Sequence, residues 1–381
     1  MKKFMQFLCM LSLLQLSGCW DSSNIESISF VMGVGIEADE NQEETIRLLS
    51  QLYLPLNDES MSSNMPFRNK STTGDSVLDA IRQLELIDQG IMSDHQMILV
   101  LGTSAIKNWG VEKLINQKAR DERTKSGIKV LVTDNSLDTL FSYPRGDTAA
   151  PTSKTIDDLS QNMDRTTEVP APVTLGLLAD AISREQSILL PNVTVENNDI
   201  KMKGAYVLKH GEEMGGYMSP KQVSLVHWLI GDVKGGILSK EINGYRTVYE
   251  ILDVQLDSLK VSIEDERMKI TIGVSSDGRL AENWDPHEDA YDPLYLNEME
   301  KSFEMQLKED VDALIQELQN VYQTDPLNFQ QYAKIQNYDF WKTNRHDWDS
   351  LFQDAEFDYQ VNLSIVDFGT RGMRNEIKNK S

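Results

Sequence analysis

The segment Leu16-Ser17-Gly18-Cys19 sets a thiol behind an aliphatic residue and two small ones. That spacing fits one chemistry. Small residues enter the narrow cleft of a signal peptidase, and the bond between Gly18 and Cys19 is cut. The Cys19 sulfur takes a diacylglyceryl group through a thioether, and the freed amino group takes a further acyl chain such as palmitate. The residues before it agree. Lys2-Lys3 is a positive start, and Phe4 to Leu16 is a run of thirteen residues without a charge. That length suits the apolar region of a signal peptide and falls short of the roughly 20 residues that span a bilayer. Each buried methylene contributes about 0.8 kcal/mol, and stable anchoring takes two chains. A diacylglyceryl group supplies both.

Other chemistry is thinly represented. Cys9 leaves with the leader and Cys19 is acylated, so no thiol remains for a disulfide, a metal or a nucleophile. His95, His210, His227, His287 and His346 are scattered, with no His-Glu-x-x-His pair at helical spacing. His227 adjoins Trp228 on an apolar stretch and reads as a core histidine. Gly33-Val34-Gly35 lies inside a strand pattern and opens no helix, so it does not read as a dinucleotide loop. No phosphate loop and no Gly-x-Ser-x-Gly elbow occur. The run Asp285-Pro-His287-Glu288-Asp289-Ala-Tyr-Asp292 is the densest acidic cluster. It lacks the alternating ligand register of a calcium-binding EF-hand loop and reads as a solvated acidic loop. Arg145-Gly146-Asp147 matches an adhesion tripeptide, for which a turn is the default. These residues offer no catalytic constellation and no metal or cofactor site.

The elements that would carry these residues follow from periodicity. Ile28 to Ile36 alternates as a half-buried strand, Asp39 to Gln42 turns, and Thr45 to Leu54 returns. Pro55 to Asp75 is polar and reads as a loop. Val77 to Ile87 has helical spacing. A strand from His95 to Leu101, a helix through Trp109, Leu114 and Ile115, and a strand from Ile128 to Val132 come next. Strand alternating with helix predicts a mixed or partly parallel sheet. Tyr143 to Lys154 and Glu168 to Pro172 read as loops. A helix at 175–184 and a strand at 188–195 close this half. The second half opens with a strand at 204–208. Ser219-Pro220-Lys221-Gln222 is a capping box, and its helix stops at Gly231. Separate strands are expected at 245–252, 254–263 and 267–274, with a turn at Asp277-Gly278. After Pro293, the residues Leu296, Met299, Phe303, Leu307, Val311, Leu314, Leu318 and Val321 form one helical stripe. Tyr359 to Ile365 is a last strand. The reading is an α+β protein of mixed β-sheets with packed helices, in two to three domains. Its divisions are a leader at 1–18, an α/β-type unit at 19–200, and a unit at 201–381 with long strands and one long amphipathic helix.

The charge narrows the partners. The net charge is −23, and loss of Lys2 and Lys3 takes it to −25. Nucleic acid needs a basic footprint and is disfavoured, as is close embrace of anionic lipid.

Several blocks together resemble a known family. Gly18-Cys19-Trp20-Asp21 with Ile25-Glu26 resembles the mature start of the Ger(x)C proteins, the C subunits of spore germinant receptors in Bacillus-like bacteria. Phe30 to Glu37 is similar to the family's first strand. Arg120-Asp121-Glu122 ahead of Ile128 to Thr133 is similar to its middle block. Gln319 to Leu327, then Trp341 and Trp348-Asp349-Ser350-Leu351-Phe352, resemble its C-terminal block, and Phe368-Gly369 its close. Where the family has Asp-Ile-Leu-Gly, this chain has Asp325-Pro326-Leu327-Asn328. The resemblance implies an α+β fold of more than one domain and no catalytic residues. It also implies a place on the outer face of the inner spore membrane beside membrane-embedded A and B subunits that respond to nutrients. The alternative is the solute-binding lipoprotein of an ABC transporter, which would show two similar lobes. An extracytoplasmic hydrolase would need a nucleophile–base pair that the sequence does not offer.

The lipobox generates a direct test. Mass spectrometry of the membrane-bound chain should show Cys19 as an acylated N-terminus, and Cys19→Ala should abolish both the acylation and the attachment. An unmodified Cys19 on a membrane-bound wild type would refute this.

Overall fold

The structure is a computed structural model, and it describes residues 28–369 apart from 43, 55–66, 89, 143–149, 163–165, 212, 234, 265–266, 287–288. Gly18 and Cys19 lie outside the described residues.

The first half is built on a mixed sheet. Its strands are β1 (Ser29–Ala38), β2 (Ile46–Tyr53), β3 (Phe67–Gly74), β4 (Ile91–Met92), β5 (Ile98–Gly102), β6 (Lys129–Thr133), β7 (Ile188–Glu196), β8 (Asp199–Lys209) and β9 (Glu213–Met218). The spatial order is β3-β2-β1-β5-β6-β7-β8-β9, with β4 also beside β1. β1, β5 and β6 run parallel, while each flank is an antiparallel meander. All five residues of β5 are buried, as expected of a parallel strand covered on both faces. One face carries α1 (Val77–Ile87), α2 (Thr103–Trp109), α3 (Val111–Arg120) and α6 (Leu175–Ser183), which meet Leu99, Leu101, Val130 and Val132. The other carries α4 (Leu137–Phe141) and α5 (Thr152–Leu159), which meet Ile98, Val100 and Leu131.

Two stretches read as loops hold regular structure. β3 falls within the polar stretch 55–75. It is an edge strand, so its side chains need not be apolar to pair with β2. α5 begins within 143–154, just behind Pro151, which serves as its N-cap.

The turn between β7 and β8 is Asn197-Asn198, both with positive φ, as a two-residue I′-type hairpin requires. β8 then buries its two faces in different cores. Tyr206 and Leu208 join the core of the first half, while Ala205 and Val207 join that of the second. That second core contains α7 (Pro220–Ile230), whose capping box, N1 proline and left-handed Gly231 are all present.

The second sheet is β10 (Ile237–Ile242), β11 (Tyr245–Glu264), β12 (Arg267–Asn283) and β13 (Glu356–Asp367). The strands expected at 245–252 and 254–263 are one strand of 20 residues, bulged near Ile251 and Leu256. Nor does the chain turn at Asp277-Gly278, because β12 continues to Asn283. Gly278 sits there for another reason. Opposite it lies the buried Tyr249 ring, 2.1 Å from where a Cβ would stand.

α8 (Pro293–Glu317) packs along β13. The amides of Leu363 and Ile365 donate to the carboxylates of Glu304 (3.0 Å) and Glu300 (2.7 Å). Helix side chains thus close part of a sheet edge that would otherwise be open to a foreign strand. The predicted stripe is buried from Met299 to Leu318. Val321 is 67% exposed, and Tyr322 is buried instead. A π-helical turn at Leu318–Tyr322 widens the last turn, so the next inward position comes four residues on rather than three. Beyond it lie α9 (Phe329–Gln336), α10 (Tyr338–Asn344), a short 3₁₀ turn (Arg345–Asp347) and α11 (Trp348–Gln353).

Gly278→Val should force Tyr249 and its neighbours apart. Overpacking of this kind costs about 1–3 kcal/mol, so the urea midpoint should fall while the unfolding slope stays constant.

Candidate functional site

Most of the residues singled out for chemistry do not converge. Arg145 to Asp147, His287 and Glu288 lie outside the described residues. The His95 ring lies tilted against Phe30, ring centroids 5.0 Å apart. His227 is buried and its Nε2 faces the Val169 carbonyl at 3.2 Å; burial pushes its pKa down, so it is a core histidine as expected. Gly33 lies where α5 presses on β1, with Ser153 Oγ 2.2 Å from the place of a Cβ. In the acidic loop, Asp289 accepts from the Tyr291 amide (3.1 Å) and Asp292 from the Leu294 amide (2.9 Å), capping α8. Those two carboxylates close turns. Among the described residues, no three metal-ligating side chains are grouped.

A cleft of about 690 Å³ lies between the end of α6 and the helices after Asp325. His210 and His346 both line it. Its floor is Asp325, a buried carboxylate with three donors. Oδ1 accepts from the Leu327 amide (3.2 Å), and Oδ2 from the Gln330 amide (3.1 Å) and the Trp348 indole (3.0 Å). The first two contacts shape the entry to α9, and the third ties in α11. Burial pushes the Asp325 pKa up to about 6, against the pull of those hydrogen bonds.

A second chain of polar groups crosses from one half to the other. Asp349 pairs with His210 Nε2 at 3.2 Å and accepts from Thr324 Oγ1 at 3.0 Å. Thr324 has one hydroxyl proton, so it accepts from Ser187, 2.6 Å away. Ser187 in turn accepts the His210 amide at 3.1 Å. Serine, histidine and aspartate are together here, yet not as a catalytic triad. The serine touches the histidine backbone rather than its ring, and Nδ1 of the ring faces the Glu185 carbonyl at 3.3 Å. Without a serine–imidazole hydrogen bond the hydroxyl has no base. On the rim, Lys334 lies 4.8 Å and Arg345 5.7 Å from the centroid of Trp341, within reach of cation–π attraction.

Asp325, Trp341, Trp348 and Asp349 were legible in the sequence only as family blocks, and the fold brings them into one cleft. Ser187 and His210 carried no signal. Their partners lie 137 and 139 residues away along the chain, beyond any local pattern.

Comparison with known proteins identifies the class. Residues 21–195 match the spore germination protein N-terminal domain, and residues 203–369 match the family described as spore germination B3/GerAC like, C-terminal. The Asn197-Asn198 turn falls between the two matches. The chain belongs to this family of germinant-receptor C subunits. Among individual relatives, spore germination protein A3 of Bacillus subtilis (strain 168) is 31% identical over 96% of this chain and 98% of that protein. Spore germination protein B3 of the same organism is 28% identical over 94% and 96%. The crystal structure of the GerBC protein superimposes with a TM-score of 0.63 at 23% identity, covering 90% of this chain and all of that one. It shows the same fold.

Asp325 makes stability depend on pH in an uncommon direction. Its folded pKa, about 6, lies above its ordinary 3.8. Its contribution is therefore fully present below the ordinary value and is lost as pH rises through about 6. Between these limits, wild type should lose about 2–3 kcal/mol relative to Asp325→Asn. Chemical denaturation of both chains across that range checks it, and parallel pH profiles would contradict it.

Proposed function

We propose that this chain is the C subunit of a nutrient germinant receptor, held by lipids on Cys19 to the outer face of the inner spore membrane. There it acts by assembling with membrane-embedded A and B subunits rather than by chemistry of its own. The observation that carries this is the pair of family matches, in order, over nearly the whole chain after the lipobox. Two features support it. In the cleft beside α6, the serine, histidine and aspartate are bound into one chain of polar groups that joins the halves. No described helix is long and apolar enough to cross a membrane, so attachment through the acylated cysteine has a role to fill.

The transporter alternative fits less well. A solute-binding protein closes two similar lobes on its ligand. Here a large mixed sheet covered on both faces meets a four-stranded sheet, and the two share a core through β8. Adjacent genes for A-type and B-type membrane subunits would favour the receptor, and an ATPase with a permease the transporter.

Tethering supplies the mechanism. Confinement beside the membrane raises the effective concentration toward other membrane proteins to roughly millimolar, so weak contacts suffice for assembly. A deletion strain complemented with a folded Cys19→Ala chain should therefore lose its response to the nutrient this receptor senses. An undiminished response at matched protein levels would overturn the reading.

A further inference from the structure

The two ends of the first sheet differ in chemistry. β1 enters at Ser29, and the parallel strands β5 and β6 start at the same end. Ser29 is pinned there. Its amide donates to the Gly90 carbonyl (3.1 Å) and its hydroxyl to Asp88 (3.4 Å), while β4 pairs with Ser29 and Phe30. Three large apolar side chains flank these contacts and face water: Leu86 is 78% exposed, Ile87 55% and Met92 37%. A fourth, Leu177 at 56%, stands in the first turn of α6, whose Gly176 amide bonds Ser126 just before β6. At this end opens a mostly apolar groove of about 510 Å³, floored by Phe30, Met32, Tyr53 and Met97 and edged by Asp94, His95, Gln96 and Lys125. Exposed Arg120, Arg123 and Lys125 belong to the same end, against Asp121 and Glu122.

The opposite end is acidic. Glu37, Asp39, Glu40, Asp134 and Asp138 gather around the β1–β2 turn, with Arg47 bound between Glu37 and Asp138. β1 separates the two ends by ten residues, about 33 Å at the rise of a strand. The Debye length is about 8–10 Å at physiological salt, so this charge does little at the apolar end. Composition alone argues against a lipid-facing surface, but a net charge of −23 describes the whole chain and not any one end of it.

We propose that the end of the sheet bearing Leu86, Ile87, Met92 and Leu177 is a docking surface for the phospholipid bilayer. The inference rests on the anchoring read above. Cys19 lies nine residues before Ile28, a reach of at most about 32 Å, and the chain enters the fold within this patch. The four apolar side chains seat at the headgroup–acyl boundary, as interfacial apolar groups do. The three cations face the phosphates. Two acyl chains hold the body at the membrane, and the patch fixes which way it points, turning the acidic end outward.

The test is hydrogen exchange on the lipidated chain bound to vesicles of phosphatidylcholine with a minority of phosphatidylglycerol, compared with the unlipidated chain in solution. Amides of residues 86–97 and 120–127 should exchange several-fold more slowly on vesicles, with residues 38–45 unchanged. Leu86→Glu combined with Ile87→Glu should stay bound to the vesicles, keep its circular dichroism spectrum, and lose the protection. Equal exchange at both ends, protection at the acidic end, or protection that appears only when A-type and B-type subunits are added would each overturn the proposal. A chain with a free Cys19 thiol, coupled to a maleimide-bearing lipid, separates the two claims. If Cys19 is not acylated in the cell, the anchoring reading fails, and the coupled chain still reports whether this end meets lipid.

Discussion

β8 buries both of its faces, and the faces belong to different cores. Tyr206 and Leu208 point into the layer of helices that covers the first sheet, and Ala205 and Val207 point toward α7 and the second half. Side chains alternate with a period of two, so a slip of one residue would exchange the sets and place the Tyr206 ring where Ala205 now packs. The two-residue turn at Asn197-Asn198 holds the register from one side. From the other, α7 can start only where Ser219, directly after β9, is free to cap it. The family boundary runs through this hairpin, yet the sheet passes across it without interruption.

The cleft beside that junction shows how polar groups are kept in such a place. A carboxylate buried at Asp325 is costly, which its raised pKa records. Three donors make the site tolerable, and each comes from a segment with little else to fix it: the entry to α9, its first turn, and the head of α11. The Ser187–Thr324–Asp349–His210 chain then connects those short helices to the first half. Helices of six to eight residues are too short to stand alone in water. Packing of Phe329 and Phe352 against Phe357, together with these hydrogen bonds, keeps them in place.

Net charge is a poor guide to how such a body meets a surface, because screening makes electrostatics local. Carboxylates gathered at the far end of a strand act little on apolar side chains about 30 Å away. The polarity of the first sheet follows from its topology. β1, β5 and β6 are parallel, so strand starts share one end, and the β1–β2 turn and the entry to α4, with their carboxylates, share the other.

The sequence by itself determined whatever depends on residues close along the chain. The buried runs of β5 and β6, the capping box of α7, and the α8 stripe from Met299 to Leu318 are all local patterns that the fold then satisfied. The alternation of strand and helix was enough to predict a mixed sheet. Tertiary structure decided the rest. β3 and β10 are edge strands, half solvated, so apolar alternation was not demanded of them. β11 and β12 stay continuous through bulges because each supports the other, and Asp277-Gly278, a turn by local chemistry, remains extended under Tyr249. The π-helical turn that exchanges Val321 for Tyr322 answers to Tyr217, whose carbonyl accepts the Tyr322 hydroxyl at 2.8 Å. The cleft joins side chains more than a hundred residues apart. No window along the sequence contains that information, since it arises only when β8 draws the two cores together.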